Sequence, residues 1–222
     1  MSRRPHANDL PENLPLLPLR GALLLPRADL PLHIFEPRYL TLVEDALMTS
    51  HRLIGMICPL SGDSHLPVPD DAPLTETGCA GRITSFSEIE NNRMLITLHG
   101  ISRFCLLDEI VDAAPYRRAR ADWGPYADDL GPAEEDDGLD RTEFIATVMR
   151  YLALHEYSAD AKALSHASDE ELINALAMLC PFRPEDKQAL LEAPDLPSRR
   201  EALMALLEFS LLGGDSTRMV PH

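Results

Sequence analysis

Leu30-Pro31-Leu32-His33-Ile34-Phe35-Glu36-Pro37-Arg38-Tyr39-Leu40-Thr41-Leu42-Val43-Glu44-Asp45-Ala46-Leu47 changes its period part-way along. Up to Glu36 it reads as extended chain, with Leu32 and Ile34 apolar. From Pro37 onward Tyr39, Leu40, Val43, Ala46 and Leu47 recur at spacings of three and four, the stripe of a helix packed on a sheet. Pro37 suits the first helical position, where its missing N–H is no loss and its φ is already near helical. The same ring pushes Glu36 out of the helical region and so sets the boundary. Glu36 lies two residues from Arg38, close enough for a carboxylate–guanidinium pair to lock the corner. His33, Glu36 and Arg38 are therefore read as structural corner residues, with His33, on an apolar strand, as a core or corner histidine.

Outward from this corner, residues 1–13 form a loose tail and residues 14–122 a β-rich part. Residues 14–19 read as a first strand that two prolines place at an edge or strand end. Residues 53–58 are a short apolar strand buried on both faces. Residues 60–75 carry three prolines and form a surface loop. Residues 77–89 and 93–100 make a hairpin around Glu90-Asn91-Asn92, since asparagine tolerates positive φ, and Met94, Ile96 and Leu98 share one face. Gly100 is read as a sharp turn into another strand over 101–111, and residues 116–122 add a further strand. Residues 123–140, rich in Asp and Glu, read as a solvated acidic linker or, less simply, a docking segment.

Beyond 140 the period becomes helical. Phe144, Ile145, Val148, Met149 and Leu152 make one stripe, and Ser168-Asp169-Glu170-Glu171 is a capping box. Arg183-Pro184 opens a short helix. Ser198-Arg199-Arg200-Glu201 reads as a second capping box, and Gly213-Gly214 closes the last helix. Residues 141–213 thus form an α-helical part, followed by a tail at 214–222. The expected fold class is α+β: a partly closed β-barrel with one helix, then a helical bundle.

The 222 residues carry a formal charge of −16, unevenly spread. Residues 1–127 hold 12 arginines against 16 acids, and residues 128–222 hold 8 basic side chains against 20 acids. No basic footprint for nucleic acid or anionic lipid results. Only Lys162 and Lys187 are lysines. Cys58, Cys79, Cys105 and Cys180 share no short spacing, which argues against zinc or a CxxC redox pair and fits a reducing cytosol. The apolar run 14–26 is broken by Pro15, Pro18 and Arg20, so it does not read as a membrane span, and no leader-like apolar segment follows Arg3-Arg4. The expected location is cytoplasmic.

Several fragments in order resemble the LON domain, the N-terminal substrate-binding region of bacterial Lon protease, which also occurs free-standing. They are Leu17-Pro18-Leu19, Leu24-Leu25-Pro26, His33-Ile34-Phe35-Glu36-Pro37-Arg38-Tyr39, Ile54-Gly55-Met56-Ile57, Gly78-Cys79-Ala80-Gly81-Arg82-Ile83, Gly100-Ile101-Ser102-Arg103-Phe104 and residues 185–192. The resemblance implies a PUA-like β subdomain followed by a helical subdomain, and a role in holding polypeptide. The full-length protease cuts peptides with a Ser–Lys dyad in a separate domain, powered by a separate ATPase domain, and neither fits in this chain.

The residues themselves offer no catalytic frame. There is no GxSxG elbow, no P-loop and no HExxH, and Gly78-Cys79-Ala80-Gly81 is too short for a dinucleotide fingerprint. No catalytic, cofactor-binding or metal-binding residue is assigned, and no cofactor is expected. The leading expectation is a non-enzymatic module that binds unfolded or extended polypeptide or a protein partner. Its binding surface would be either the groove between barrel and bundle or the face near Leu24, Leu25, Phe35, Pro37 and Tyr39. The competing reading is that those side chains simply fill the core. RNA binding, suggested by PUA-like barrels, would have to use Arg117, Arg118 and Arg120 beside Tyr116 and Trp123. A hydrolase built on His33 and Glu36, or on Ser64 and His65, ranks last. The oligomeric state is not fixed by the sequence.

Overall fold

A computed structural model describes residues 6, 9–60, 67–157 and 167–213. The chain divides into two compact units, Met1–Pro132 and Ala133–His222. Ser64 and His65 fall outside the described residues.

The first unit is built from β1 (Asn13–Pro18), β2 (Asp29–Ile34), α1 (Pro37–Met48), β3 (Leu53–Pro59), β4 (Leu74–Ile89), β5 (Arg93–Ile110) and β6 (Arg118–Asp122), closed by a 3₁₀ turn at Gly124–Leu130. The strands lie in the order β2-β5-β4-β3-β1-β6, and β6 also pairs with β5, so the ladder returns on itself as a ring. Only β1 with β3 is parallel among these pairings. The fold is α+β with a mixed, ring-forming sheet. Inside it Leu14, Leu16, Leu53, Ile57, Phe104 and Trp123 form a buried cluster. The Phe104 and Trp123 rings meet at 5.8 Å, and the Trp123 indole donates to the Pro11 carbonyl at 3.1 Å. Phe104 needs room that only glycine leaves: a Cβ on Gly78 would stand 2.6 Å from its ring.

β5 is the spine. Its first half pairs with β2 and the end of β4, and its second half with the start of β4 and with β6. The hairpin turn before it places Asn91 and Asn92 at φ 66° and 54°, the positive values that the asparagines were read to tolerate. Gly100 is not a turn, contrary to the sequence reading, because β5 runs through it unbroken. Its lack of a side chain serves close approach instead. A Cβ there would lie 2.0 Å from the Leu25 carbonyl oxygen. In that space the Gly100 N–H donates to the Ala28 carbonyl and the Gly100 carbonyl accepts from the Arg27 N–H, both at 2.8 Å.

The second unit packs α2 (Arg141–Leu154), α3 (Asp169–Leu179), α4 (Pro184–Glu192) and α5 (Leu196–Leu211) around Phe144, Val148, Tyr151, Leu172, Leu203 and Leu207. The Ser168–Glu171 capping box opens α3 with both reciprocal bonds in place. α5 starts earlier than its apparent capping box. Asp195 is the N-cap, accepting from Ser198 N–H at 2.8 Å, and Pro197 fits the first turn. Arg199 consequently points inward. It is 1% exposed and donates to Asn174 Oδ1 at 3.0 Å and to the Leu190 carbonyl at 3.1 Å.

The stretch 123–140 is not the uniformly solvated linker that its composition predicts, and the division between units falls inside it, after Pro132. Trp123 belongs to the ring core. Asp129 is buried against Arg103, taking Nη2 at 2.7 Å, Nε at 2.9 Å and the Arg103 backbone N–H at 2.8 Å. The Arg103 guanidinium also lies 4.5 Å from the Tyr126 ring centroid. Beyond the division, Glu134 accepts from Leu196 N–H at 2.7 Å, Asp136 accepts from Arg200 Nε at 2.6 Å, and Asp140 caps α2. These acids are bound to local donors, which leaves few of them for a docking partner.

Candidate functional site

The strand-to-helix corner is stapled by Arg38. Glu36 is extended at φ −72° and ψ 131°, and Pro37 opens α1. The Arg38 guanidinium donates to Glu36 Oε2 at 2.8 Å from Nη2 and 3.1 Å from Nε, to the Val68 carbonyl at 2.8 Å, and to Asp70. It also lies 4.5 Å from the Tyr39 ring centroid. Glu36 is thus engaged by a cation, whereas the His33 ring rests edge-on against Phe35 at 5.9 Å. These contacts do not join His33 and Glu36 as an acid–base pair.

The five residues read as a binding face separate into two sets. Leu24, Leu25 and Tyr39 are buried, and the core-filling alternative describes them correctly. Leu24 and Leu25 come to lie under the sheet because Gly81 and Gly100 let the 23–26 loop close on it. Phe35 and Pro37 are exposed. His33 is exposed as well, which removes the core half of its reading as a core or corner histidine. The cause is alternation: in β2, Leu30, Leu32 and Ile34 turn inward, so Pro31 and His33 turn outward.

Register extends that outer face across three strands. His33 stands opposite Leu95, Leu95 opposite Ser87, and Arg93 opposite Ile89. Phe35 is 61% exposed, Leu95 48% and Ile89 37%. The far side of β5 carries the buried Met94, Ile96 and Leu98. Sequence reasoning assigned that buried face and missed Leu95. A leucine on the polar side of an otherwise alternating strand was the available sign. Together Phe35, Leu95 and Ile89 give the β2–β5–β4 sheet an apolar outer surface with His33 and Arg93 set into it, and the exposed Pro37 opens α1 two residues on.

A cleft of about 420 Å³ lies beside the corner, lined by Arg38, Tyr39, Tyr116, Arg117, Val111 and Asp112 among others. Its cations are spent. Arg117 donates to Glu109 and to the Ala72 carbonyl, the latter at 2.6 Å. Its two phenols are no bases. Burial pushes the Tyr39 hydroxyl up to about 12 against the attraction of Arg38. Burial, with a bond to Asp45, pushes Tyr116 up to about 12 as well. Tyr116 remains a donor, 2.6 Å from Asp45 Oδ2.

The arginines considered for RNA are neutralised in the same way. Arg118 meets Asp112 at 2.6 Å, Arg120 meets Asp108 at 2.6 Å, and Trp123 is buried. No bare cationic stripe or free stacking ring is left there for a phosphate backbone. Among the described residues no group of three or more His, Cys, Asp or Glu is placed to hold a metal ion.

These features define a class: a ring-forming sheet unit followed by a helical unit, with an exposed apolar sheet face. The chain belongs to the family of the ATP-dependent protease La (LON) substrate-binding domain, whose model matches residues 13–208. It is 26% identical over 203 residues to Lon protease 2 of Myxococcus xanthus, an alignment covering 90% of this chain and 24% of that protein. It is 29% identical over 203 residues to Lon protease of Dictyoglomus thermophilum, covering 86% of this chain and 24% of that one. The chain therefore spans about a quarter of the length of these relatives. Among solved structures it is similar to a Lon N-terminal domain protein from Xanthomonas campestris, with TM-score 0.60 and 25% identity over 87% of this chain and 97% of that one. It shares its fold with the N-terminal domain of Mycobacterium avium complex Lon protease, with TM-score 0.64 and 14% identity over 88% of this chain and 98% of that one.

Proposed function

We propose that this chain is a non-catalytic binding module that holds extended or unfolded polypeptide through the outer face of the β2–β5–β4 sheet. The observation that carries the reading is the exposure of Phe35 and Leu95 on the outer face of one sheet, opposite the buried face of Met94, Ile96 and Leu98. Exposed side chains of that size, set among polar neighbours, mark a surface that gains free energy by being covered. Membership of a substrate-binding family supports polypeptide as the occupant. The paired state of Glu36, Arg38 and Arg117 supports binding without bond cleavage. No helix among the described residues is long and apolar enough to cross a membrane, and none of the four cysteines forms a disulfide; both fit work in the cytoplasm.

The test is fluorescence anisotropy with labelled, unfolded casein. Covering the exposed part of one Phe or Leu is worth about 1 kcal/mol. Phe35→Asp and Leu95→Asp should each weaken binding roughly fivefold or more, while Leu212→Asp, on an exposed residue of the helical unit, leaves it unchanged. A wild-type chain with no affinity for casein would refute the proposal.

A further inference from the structure

The sheet that carries this surface has two outer edges, and they are not alike. β2 forms one of them and contains Pro31, which removes a donor and guards that edge against further pairing. The other is the far end of β4. β3 accompanies β4 only as far as Arg82, and the Ile83 N–H is taken by the Arg52 carbonyl. Past that point residues 84–89 pair with β5 on one side and, among the described residues, with nothing on the other. All six are exposed. The segment has no proline, and the two lysines of the chain lie elsewhere, at 162 and 187. Proline and lysine are the usual guards of a bare edge. A bulge between Ile83 and Ser85 sits at the root of the segment and leaves its outer end regular. Phe86, 54% exposed, presents an aromatic side chain from this strand.

We infer that the free edge of β4 at residues 84–89 takes up a basic, extended peptide as an additional antiparallel or parallel strand. The inference rests on the holding function proposed above and specifies its mode. Main-chain hydrogen bonds supply sequence-tolerant affinity, which suits a binder of many unfolded segments, and alternate side chains of the guest meet Phe86 on one face and Ile89 on the other. Charge selects the guest. Glu88 on the strand and Glu90 at the turn have no ion-pair partner among the described residues, and Arg93 stands opposite Ile89, on the other face from Glu88. A second copy of the chain would bring its own −16 charge to this edge, whereas a basic peptide is drawn to it.

The probe is a fluorescein-labelled octapeptide of alternating Val and Arg, compared with two versions N-methylated at every Val or at every Arg. N-methylation removes main-chain donors and leaves side-chain identity unchanged. In a paired strand only alternate N–H groups face the host. One methylated version should therefore lose at least tenfold in affinity and the other should bind as the parent does. Phe86→Lys should also lose at least tenfold, while circular dichroism and the Trp123 emission stay as in wild type. Equal binding of all three peptides, or full affinity in Phe86→Lys, overturns the edge mode. If casein binding still depends on Phe35 and Leu95, the holding function survives that result. If neither casein nor the octapeptide binds, the holding function falls and the edge mode with it. Sedimentation showing a dimer that Phe86→Lys dissociates, with no peptide bound, would assign the edge to a second copy and overturn the inference.

Discussion

Replacing Gly100 by alanine tests how the ring is held shut over its loop. The added Cβ would stand 2.0 Å from the Leu25 carbonyl oxygen and 2.8 Å from the carbonyl carbon, both backbone atoms that no rotamer change can move. An ordinary carbon–oxygen contact is about 3.3 Å or more, so strand and loop must part by about 1 Å. That separation breaks the two 2.8 Å backbone bonds joining Gly100 to Arg27 and Ala28. Each lost bond costs about 1 kcal/mol, and a buried group left without a partner costs about 1–3 kcal/mol. The expected loss is about 3–5 kcal/mol, large for a domain whose whole stability is about 5–15 kcal/mol. Trp123 is the sole tryptophan and sits 6% exposed in the ring core, so urea unfolding followed by its emission reports the first unit alone. A destabilisation under about 1 kcal/mol would mean that the loop yields freely and would refute the role given to Gly100.

Three further outcomes are expected. Arg103→Ala strands the buried Asp129 carboxylate and should cost about 3–5 kcal/mol in the same urea experiment, while Arg120→Ala, at an exposed pair, should leave the urea midpoint close to that of wild type. The phenols of Tyr39 and Tyr116 hold their protons to about 12, against an ordinary 10.0, so their contribution to stability is complete below pH 10 and is lost as pH rises through 12. Absorbance at 295 nm should accordingly show Tyr39 and Tyr116 ionising late in the folded chain, and replacing either with Phe should remove part of that late step. Burial also raises the Cys180 thiol to about 12, and Cys79 is buried as well, so iodoacetamide at pH 8 should label Cys58 and Cys105 well before either, as read by peptide mass spectrometry.

Features set by local chemistry were legible in the sequence. The Glu36–Pro37 boundary, the two-asparagine turn, the inward set Met94, Ile96 and Leu98, and the Ser168 capping box each depend on residues within a few positions of one another. Features set by distant partners were not. Asp129 looks like one more acid in a solvated run until Arg103, from β5, is brought beside it. Gly100 reads as a turn because a turn and a close backbone approach both require a missing Cβ, and only the position of Leu25 decides between them. Leu24 and Leu25 were ambiguous for the same reason, since an apolar loop residue can cover a core or face a ligand. His33 was read as core or corner because its neighbours are apolar, and alternation with Leu32 and Ile34 turns it outward, which leaves only the corner. The start of α5 was misplaced because Ser198 and Glu201 mimic a capping box one turn inside the helix that Asp195 caps.

The pairing of Leu14 with Ala119 joins residues about a hundred positions apart. On the ribosome, where the chain emerges from its N-terminal side, β1 is made early and can lie beside β3 once residue 57 is out, but its second neighbour is not synthesised until residues 118–122. Closure of the first unit is therefore a late and long-range event in the life of each molecule. Until then the leucines of β1 are open to solvent and to chaperones, so that a chain read here as a holder of unfolded polypeptide spends its own synthesis as a candidate for being held.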